Sequence, residues 1–265
     1  MELTVNGAAT YAYTGGKPFN PELPTIVFIH GAENDHSVWG LQSRWFAHHG
    51  CGVLAVDLPG HGRSDGPLLP TVEAQAEWLV ALLDAAGVED AALVGHSMGS
   101  LIALEAASRF PERVSSIVLV GTAVPMPVSE ALLTAARDAR PKADGMVNVW
   151  SHGARGAIGG NTVPGMWMMG ASLRLMERAA PGVLHNDLNA CNAYARGPEA
   201  AAAAQCPALL VVGSRDMMTS PRGAPKLAAA MKDARIAPIE GSGHALMAEY
   251  PDAVLDALRG FLIAA

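Results

Sequence analysis

Short, uninterrupted apolar segments recur along this 265-residue chain and constrain its fold more than any other feature. Strands buried on both faces have this continuous apolar character, whereas strands with one wet face alternate between apolar and polar residues. The segments therefore predict a parallel sheet covered by helices on both faces. They are residues 25–29, 52–56, 91–94, 116–120 and 208–212, each bounded by turn-forming residues, with 234–239 as a further candidate strand.

Stretches with helical character separate these strands, namely residues 72–86, 98–109, 221–232 and 252–262. In the first stretch, Leu79 and Leu83 lie on one apolar face. Near the N-terminus, residues 3–5 and 9–13 predict an edge hairpin that turns at Asn6-Gly7. Strands that alternate with helices imply right-handed crossovers, so the expected fold class is α/β with a doubly wound, mostly parallel sheet.

The alternation breaks between Val120 and Pro207, where Pro and Gly are frequent and no convincing strand is present. A structureless loop of this length is improbable inside a compact domain. We therefore expect a core domain of residues 1–123 and 199–265 with a helical cap, or lid, inserted at residues 124–198. Two sets of apolar residues at i, i+4 and i+7 support helices in the insertion: Met169, Leu173, Met176 and Leu184, Leu188, Cys191.

The strongest chemical signal is the pentapeptide Gly95-His96-Ser97-Met98-Gly99, which lies between an apolar strand and a helical stretch. A G-x-S-x-G pattern is common by chance, but between a strand and a helix it is specific for a nucleophilic serine. A serine on so sharp a turn has a strained backbone, and the positions two residues away on either side must be small to avoid a collision. The turn lifts the Ser97 hydroxyl above the sheet, at the positive end of the following helix.

A serine hydroxyl needs a base to take its proton, and His244 is the predicted base among the nine histidines. It lies in a Gly-Ser-Gly-His loop that follows the strand at 234–239 and precedes the last helix. Asp216 is the predicted carboxylate that orients His244, because it follows the strand at 208–212 at the sheet edge where open α/β folds build their sites. The chain order Ser97, Asp216, His244 is that of nucleophile, acid and base in this kind of fold.

Acyl transfer also needs donors for the negative oxygen of the tetrahedral intermediate, usually backbone N–H groups. The N–H of Met98, directly after Ser97, is one predicted donor. The second is the N–H of Ala32, in the loop that follows the strand at 25–29, where Gly31 permits a tight backbone.

Taken together, five motifs resemble those of the α/β-hydrolase family, in particular its capped, esterase-like branch. They occur in the family's order over almost the whole chain except the insertion: His30-Gly31, Asp57-Leu-Pro-Gly-His-Gly-Arg-Ser64, Gly95-His-Ser-Met-Gly99, Gly213-Ser-Arg-Asp216 and Gly241-Ser-Gly-His244. The resemblance implies a serine hydrolase that cleaves carboxylic esters through a Ser-His-Asp acyl-enzyme mechanism, with Asp57–Ser64 as a structural loop. No cofactor and no metal are expected.

The resemblance also ranks the alternatives. Epoxide hydrolases and haloalkane dehalogenases carry an aspartate where this chain has Ser97, so their chemistry is excluded. Carbon–carbon bond hydrolases usually have an aromatic residue after the catalytic histidine, where this chain has Ala245. They remain open, as do lactone hydrolysis, a cofactor-free haloperoxidase or perhydrolase, and a slow-turnover ligand receptor with the same triad.

The insertion is rich in Met and Trp, which predicts an apolar substrate pocket. The candidate pocket residues are Trp39, Trp167 and Met168. No cationic residue of the insertion can be assigned to an acidic substrate, so the expected substrates are neutral esters with short- to medium-chain apolar acyl groups.

The charge and composition of the chain narrow its expected partners and location. The net charge is −7 and no basic run is present, so nucleic acid is not an expected partner. No apolar run approaches the length needed to span a bilayer, and the N-terminus lacks the features of a signal peptide. Three cysteines without metal-ligand spacing are expected to be free thiols. A cytoplasmic monomer or homodimer is the expectation.

Overall fold

The computed structural model describes residues 1–160 and 165–263, and eight strands in this part of the chain form one sheet. The strands are β1 (Glu2–Val5), β2 (Ala8–Tyr13), β3 (Thr25–Ile29), β4 (Gly52–Val56), β5 (Ala91–His96), β6 (Val114–Val120), β7 (Ala208–Gly213) and β8 (Ala234–Ile239). Their order is β1-β2-β4-β3-β5-β6-β7-β8. The strands from β3 to β8 pair in parallel, and only β1 and β2 are antiparallel. The predicted α/β fold class is confirmed.

Helices occupy the connections between the strands. The α-helices of the described residues are α1 (Gly40–Ala47), α2 (Val72–Ala86), α3 (Met98–Arg109), α4 (Glu130–Asp138), α5 (Arg140–Ser151), α6 (Ala154–Ala157), α7 (Met168–Arg178), α8 (Val183–Ala193), α9 (Gly197–Ala203), α10 (Ala224–Ala230), α11 (Leu246–Glu249) and α12 (Pro251–Leu262). Local signals explain the bounds of α2, because the Thr71 side chain accepts a hydrogen bond from the Ala74 N–H and Gly87 ends the helix with a φ of 69°.

Most observed bounds lie within two residues of the sequence-based prediction, and two differences bear on the site or on the type of element. The strand predicted at 91–94 continues to His96, because parallel pairing with β6 persists up to the turn that carries Ser97. The helix predicted at 221–232 is instead a 3₁₀ turn at Pro221–Gly223 followed by the short α10. It ends early because Met231 is already extended, and β8 begins three residues later.

The hydrophobic core forms two layers, one on each face of the sheet. Alternate residues of β3 serve the two layers: Val27 and Ile29 face the layer under α2 and α3, whereas Phe28 faces the layer under α1 and α12. Successive side chains of a strand point to opposite faces of the sheet, so a strand covered on both sides is apolar at every position. The uninterrupted apolar runs in the sequence therefore have their explanation in helices that cover both faces.

Residues 124–198, called here the helical insertion, lie between β6 and β7 and end at the start of α9. Their described part contains α4 to α8 and no strand, as the sequence predicts. A small apolar cluster of their own holds several of these helices together: Leu132, Ala135, Ala136, Ala143, Leu184 and Leu188. The division of the chain into a core domain and a cap stays a prediction.

Among the described residues, no helix is both long and apolar enough to cross a membrane. Cys51, Cys191 and Cys206 are free thiols, as expected from their number and spacing.

Candidate active site

Ser97 lies on a strained turn between β5 and α3. Its φ of 53° and ψ of −118° fall in a backbone region that residues other than glycine rarely adopt. The two flanking glycines are required by close packing. A Cβ on Gly95 would lie 2.0 Å from the carbonyl oxygen of Gly99, and a Cβ on Gly99 would lie 2.4 Å from the carbonyl oxygen of Ile29. The backbone therefore enforces the position of the half-buried Ser97 side chain at the wall of the cavity.

His244 and Asp216 lie in direct contact although 28 residues separate them. Nδ1 of His244 is 2.8 Å from Oδ2 of Asp216, and both residues are buried. Because the carboxylate accepts, Nδ1 carries the proton and Nε2 keeps a free lone pair in the neutral ring. This is the tautomer that can take a proton from a serine.

Hydrogen bonds to the Asp216 carboxylate stabilise its ionised form. Oδ1 accepts from the Met218 and Thr219 N–H groups at 2.8 Å, and Oδ2 accepts from the Thr219 hydroxyl at 2.7 Å. Burial raises the pKa of Asp216, but the facing His244 and the Thr219 donors outweigh it and hold the pKa below its usual value. Thr219 was not singled out from the sequence, although its position three residues after Asp216 is that of a side chain closing a turn.

The loops that carry Asp216 and His244 are locked to each other by their backbones. The Arg215 N–H donates to the Ser242 carbonyl oxygen at 2.9 Å. A Cβ on Gly213 would lie 2.3 Å from the carbonyl oxygen of Gly243, so the two chains approach as closely as glycine allows. The contact between acid and base is thus built into the ends of β7 and β8.

His96, the residue before Ser97, supports the loop of His244. Its Nε2–H donates to the backbone carbonyl oxygen of His244 at 2.9 Å, and the two rings lie 4.7 Å apart. Burial first, and then repulsion from His244 whenever that ring is protonated, lower the pKa of His96 to about 3, so the His96 ring stays neutral. No role was predicted for His96, since the variable position of a G-x-S-x-G motif carries no signal of its own.

Ser97 and His244 open into one cavity of about 900 Å³, which Ala32 also lines. A Cβ on Gly31 would lie 3.1 Å from Cβ of Ser97, so the loop after β3 packs directly on the turn. Met98 begins α3, and its N–H has no acceptor within that helix. The structure therefore brings all five residues predicted for the chemistry to one end of the sheet.

The residues predicted for the substrate pocket are divided. Met168 lines the cavity, but Trp39 and Trp167 are not among its lining residues. Trp39 is fully buried and packs against Phe28 at a ring distance of 5.3 Å, because its 3₁₀ turn directs the ring into the core. Trp167 is 72% exposed. The apolar lining comes largely from other side chains of the helical insertion, such as Val128, Leu132, Val147, Trp150, Leu184 and Leu188.

A buried cluster of ionisable groups lies next to the loop of Ala32, and no periodic pattern in the sequence predicts it. The carboxyl group of Glu33 lies 3.1 Å from the Arg140 guanidinium and beside Asp144. Burial first, and then the Asp144 charge, raise the pKa of Glu33 to about 8. The Glu33 backbone N–H donates to Asp187 of α8 at 2.9 Å.

One group of possible metal ligands occurs among the described residues, formed by Asp35, His36 and Asp57. Donors from the protein already occupy Asp57. Its Oδ1 receives the His36 backbone N–H at 2.7 Å and the His36 ring at 2.8 Å, and its Oδ2 receives the Arg63 N–H at 2.9 Å. These bonds fold the loop of residues 57–64, and they give the buried carboxylate partners of its own.

Comparison with known proteins agrees with this architecture. The model of the Alpha/beta hydrolase family matches residues 26–257. The chain is 29% identical over 220 residues to the putative carbamate hydrolase RutD of Azorhizobium caulinodans, which covers 79% of this chain and 80% of the relative. It is also 40% identical over 111 residues to the dihydrolipoyllysine-residue acetyltransferase component of the acetoin cleaving system of Cupriavidus necator, and this match spans 42% of the chain but only 28% of that relative.

Among solved structures, the enol-lactonase from Burkholderia xenovorans LB400 has a TM-score of 0.86 with 24% identity, over 99% of this chain and 100% of the other. At this level of identity the likeness shows the fold alone.

Proposed function

The chain belongs to the alpha/beta hydrolase family and is a hydrolase, and from this premise we propose that it cleaves carboxylic esters with Ser97 as nucleophile, His244 as base and Asp216 as the orienting acid. One observation carries the proposal. The 2.8 Å contact between His244 and Asp216 leaves Nε2 of His244 free, in the cavity that the strained Ser97 also lines. Ser97 is the one serine of the described residues with a positive φ, and it lines the same cavity as His244.

The proposed reaction has two steps. Nε2 of His244 takes the Ser97 proton while Oγ attacks the ester carbonyl carbon, and the carbonyl oxygen becomes an oxyanion. The N–H groups of Ala32 and Met98 stabilise that oxyanion. His244 then protonates the departing alcohol, and a water molecule, deprotonated by His244, releases the acid and restores Ser97.

The cavity supports neutral substrates with apolar acyl groups. Its lining from the insertion is mainly aliphatic, aromatic and methionine side chains. We propose that residues 124–198 form a cap that roofs this cavity, since the same helices carry their own apolar cluster. A cavity of about 900 Å³ has room for a short- to medium-chain ester.

A lactone is the second candidate, because its hydrolysis needs the same nucleophile and donors and differs only in that the alcohol stays attached to the acyl group. We rank it above carbon–carbon cleavage because Ala245 follows His244, where carbon–carbon bond hydrolases usually carry an aromatic residue.

The decisive test is hydrolysis of p-nitrophenyl esters of rising acyl length by the wild type and by Ser97→Ala. We expect turnover in the wild type and its loss by a factor of at least about 10³ in the variant, with unchanged far-UV circular dichroism. Labelling by a fluorophosphonate probe should disappear in parallel. Retained turnover in Ser97→Ala would refute the assignment, whereas labelling without turnover on any ester would direct the search to lactones.

A further inference from the structure

The loop that carries Ala32 is tied to the helical insertion through one buried carboxylate. The Glu33 N–H donates to Oδ2 of Asp187, which lies 154 residues further along the chain on α8. The Ala32 carbonyl group and the Glu33 N–H belong to one planar peptide unit. This hydrogen bond therefore restrains the orientation of Ala32, whose own N–H is the proposed oxyanion donor.

The same oxygen of Asp187 receives a second donor from another loop. Nε2 of His61 lies 2.8 Å from Oδ2 of Asp187, and Nδ1 of His61 lies 3.0 Å from the Pro59 carbonyl oxygen. Both partners are acceptors, so both ring nitrogens donate and His61 is a cation. Burial lowers the pKa of His61, but Asp187 outweighs it and brings the pKa above its usual value. Asp187 and His61 thus form a buried ion pair.

His30 connects this ion pair to the end of β3. Its ring lies 4.9 Å from that of His61. Nε2 of His30 accepts from the Leu58 N–H at 3.1 Å, and Nδ1–H donates to the Gly31 carbonyl oxygen at 2.8 Å. Three chain segments therefore meet at Asp187: the loop after β3, the loop after β4 and helix α8.

We propose that Asp187, held by His61, is a positioning residue that keeps the Ala32 N–H aimed at the oxyanion. The proposal rests on the proposed function, because Ala32 matters only if an oxyanion forms beside Ser97. A buried charge is costly, and an apolar residue would fill this position on α8 at lower cost in stability. The carboxylate is instead placed where its oxygen reaches the peptide next to the proposed donor.

A positioning role predicts a particular kinetic signature. An oxyanion donor acts on the transition state and not on the bound substrate, so its displacement lowers kcat and leaves KM nearly unchanged. We expect Asp187→Leu to lower kcat by about 10- to 100-fold. This does not exceed the fall in kcat that follows removal of a whole oxyanion donor, which is about 100- to 1000-fold. Asp187→Asn keeps an acceptor oxygen and should stay within about threefold of the wild type.

A second readout isolates the oxyanion. An aliphatic trifluoromethyl ketone accepts the Ser97 oxygen at its carbonyl carbon while the proton passes to His244, and the former carbonyl oxygen occupies the site of the oxyanion. Asp187→Leu should weaken inhibition by this ketone by the same factor as kcat, whereas inhibition by the product alcohol should not change.

The matched control is Glu105→Leu, which removes another fully buried carboxylate, paired with Tyr194 at 2.7 Å and Arg196 at 3.0 Å. It should lower the melting temperature without changing kcat of the folded enzyme. His61→Leu is a second test variant that leaves Asp187 in place, with an expected loss of about 3- to 10-fold in kcat. It decides the question if Asp187→Leu does not fold.

Wild-type kcat and ketone inhibition in either folded test variant would overturn the positioning role, as would an equal loss of kcat in Glu105→Leu or a change confined to KM. Ser97→Ala assayed in parallel separates the two proposals. If that variant still turns over the ester, the proposed function fails. If it is inactive while Asp187→Leu behaves as wild type, only the positioning role fails.

Discussion

At the scale of single residues, Glu33 combines a positive φ of 56°, burial and acidic neighbours. Its pKa of about 8 in the folded protein lies above the ordinary value of 4.5. At pH values between 4.5 and about 8, Glu33 is protonated in the folded protein but ionised in the unfolded chain. The free energy of unfolding therefore falls as the pH rises through this window and levels off above about pH 8.

Glu33→Gln removes this pH dependence because the amide is always neutral. We expect the melting temperature of the variant, relative to the wild type, to rise by about 3 °C or more between pH 5 and pH 9. Thermal unfolding followed by circular dichroism at several pH values measures the difference. Glu112→Gln, at an exposed position, is the control. The same trend in both variants would show that the proton on Glu33 is not its cause.

At the scale of elements, the turn between β5 and α3 depends on backbone packing that no side chain can relax. A methyl group on Gly95 would lie 2.0 Å from a carbonyl oxygen of the neighbouring helix. We expect Gly95→Ala to cost about 3 kcal/mol or more in the free energy of unfolding, a fall of about 6–12 °C in Tm. Ester hydrolysis should be lost with the shape of the turn.

Gly260→Ala is the matched control for this prediction. Gly260 lies in α12, is exposed, and has nothing within 4 Å of the added methyl group. Alanine favours the helix over glycine by up to about 1 kcal/mol, so this variant should be slightly more stable than the wild type. Differential scanning calorimetry compares the two. A Gly95→Ala protein as stable as Gly260→Ala would contradict the packing argument.

Periodic signals in the sequence account for most elements but not for the buried polar contacts. Apolar runs and motifs located β3, β4 and the turn of Ser97 because these depend on neighbours along the chain. The same motifs led to the expectation that Asp216 and His244 converge, since parallel strands end at one sheet edge. The contact of Glu33 with Asp187 has no local pattern, because only the packing of α8 on a distant loop creates it.

The direction of the Trp39 ring is a second feature that the sequence does not predict. An aromatic residue after a sheet-edge loop can point to a cavity or to the core, and both environments are apolar. The 3₁₀ turn at His36–Trp39, capped by the Asp35 side chain, settles the choice in favour of the core. Such a turn carries no hydrophobic period that the sequence could reveal.

At the scale of the whole molecule, the helical insertion should control which acyl chains enter the cavity. Val147 of α5 is half-buried and lines the cavity. Val147→Trp narrows it, so kcat/KM for octanoyl esters should fall by about 10-fold or more relative to acetyl esters. Rates with a p-nitrophenyl ester series measure the change in preference.

Val149→Trp is the control on the same helix, because Val149 is 60% exposed and is not among the lining residues. Its chain-length profile should match that of the wild type. If both variants shift the profile equally, or neither does, the Val147 side chain in the cavity wall does not set acyl selectivity.

The order of the strands has a kinetic consequence. The strand that ends at Ser97, β5, pairs with β3 on one side and with β6 on the other, and Val27 lies opposite Leu93. Pairings between such distant segments must close long loops before they contribute any stabilisation, so they form late during folding. Local helices such as α2 need no such closure. A refolding chain should therefore recover its helical signal well before the turn at Ser97 takes its final shape, and any assay of that serine would follow the slowest events of folding.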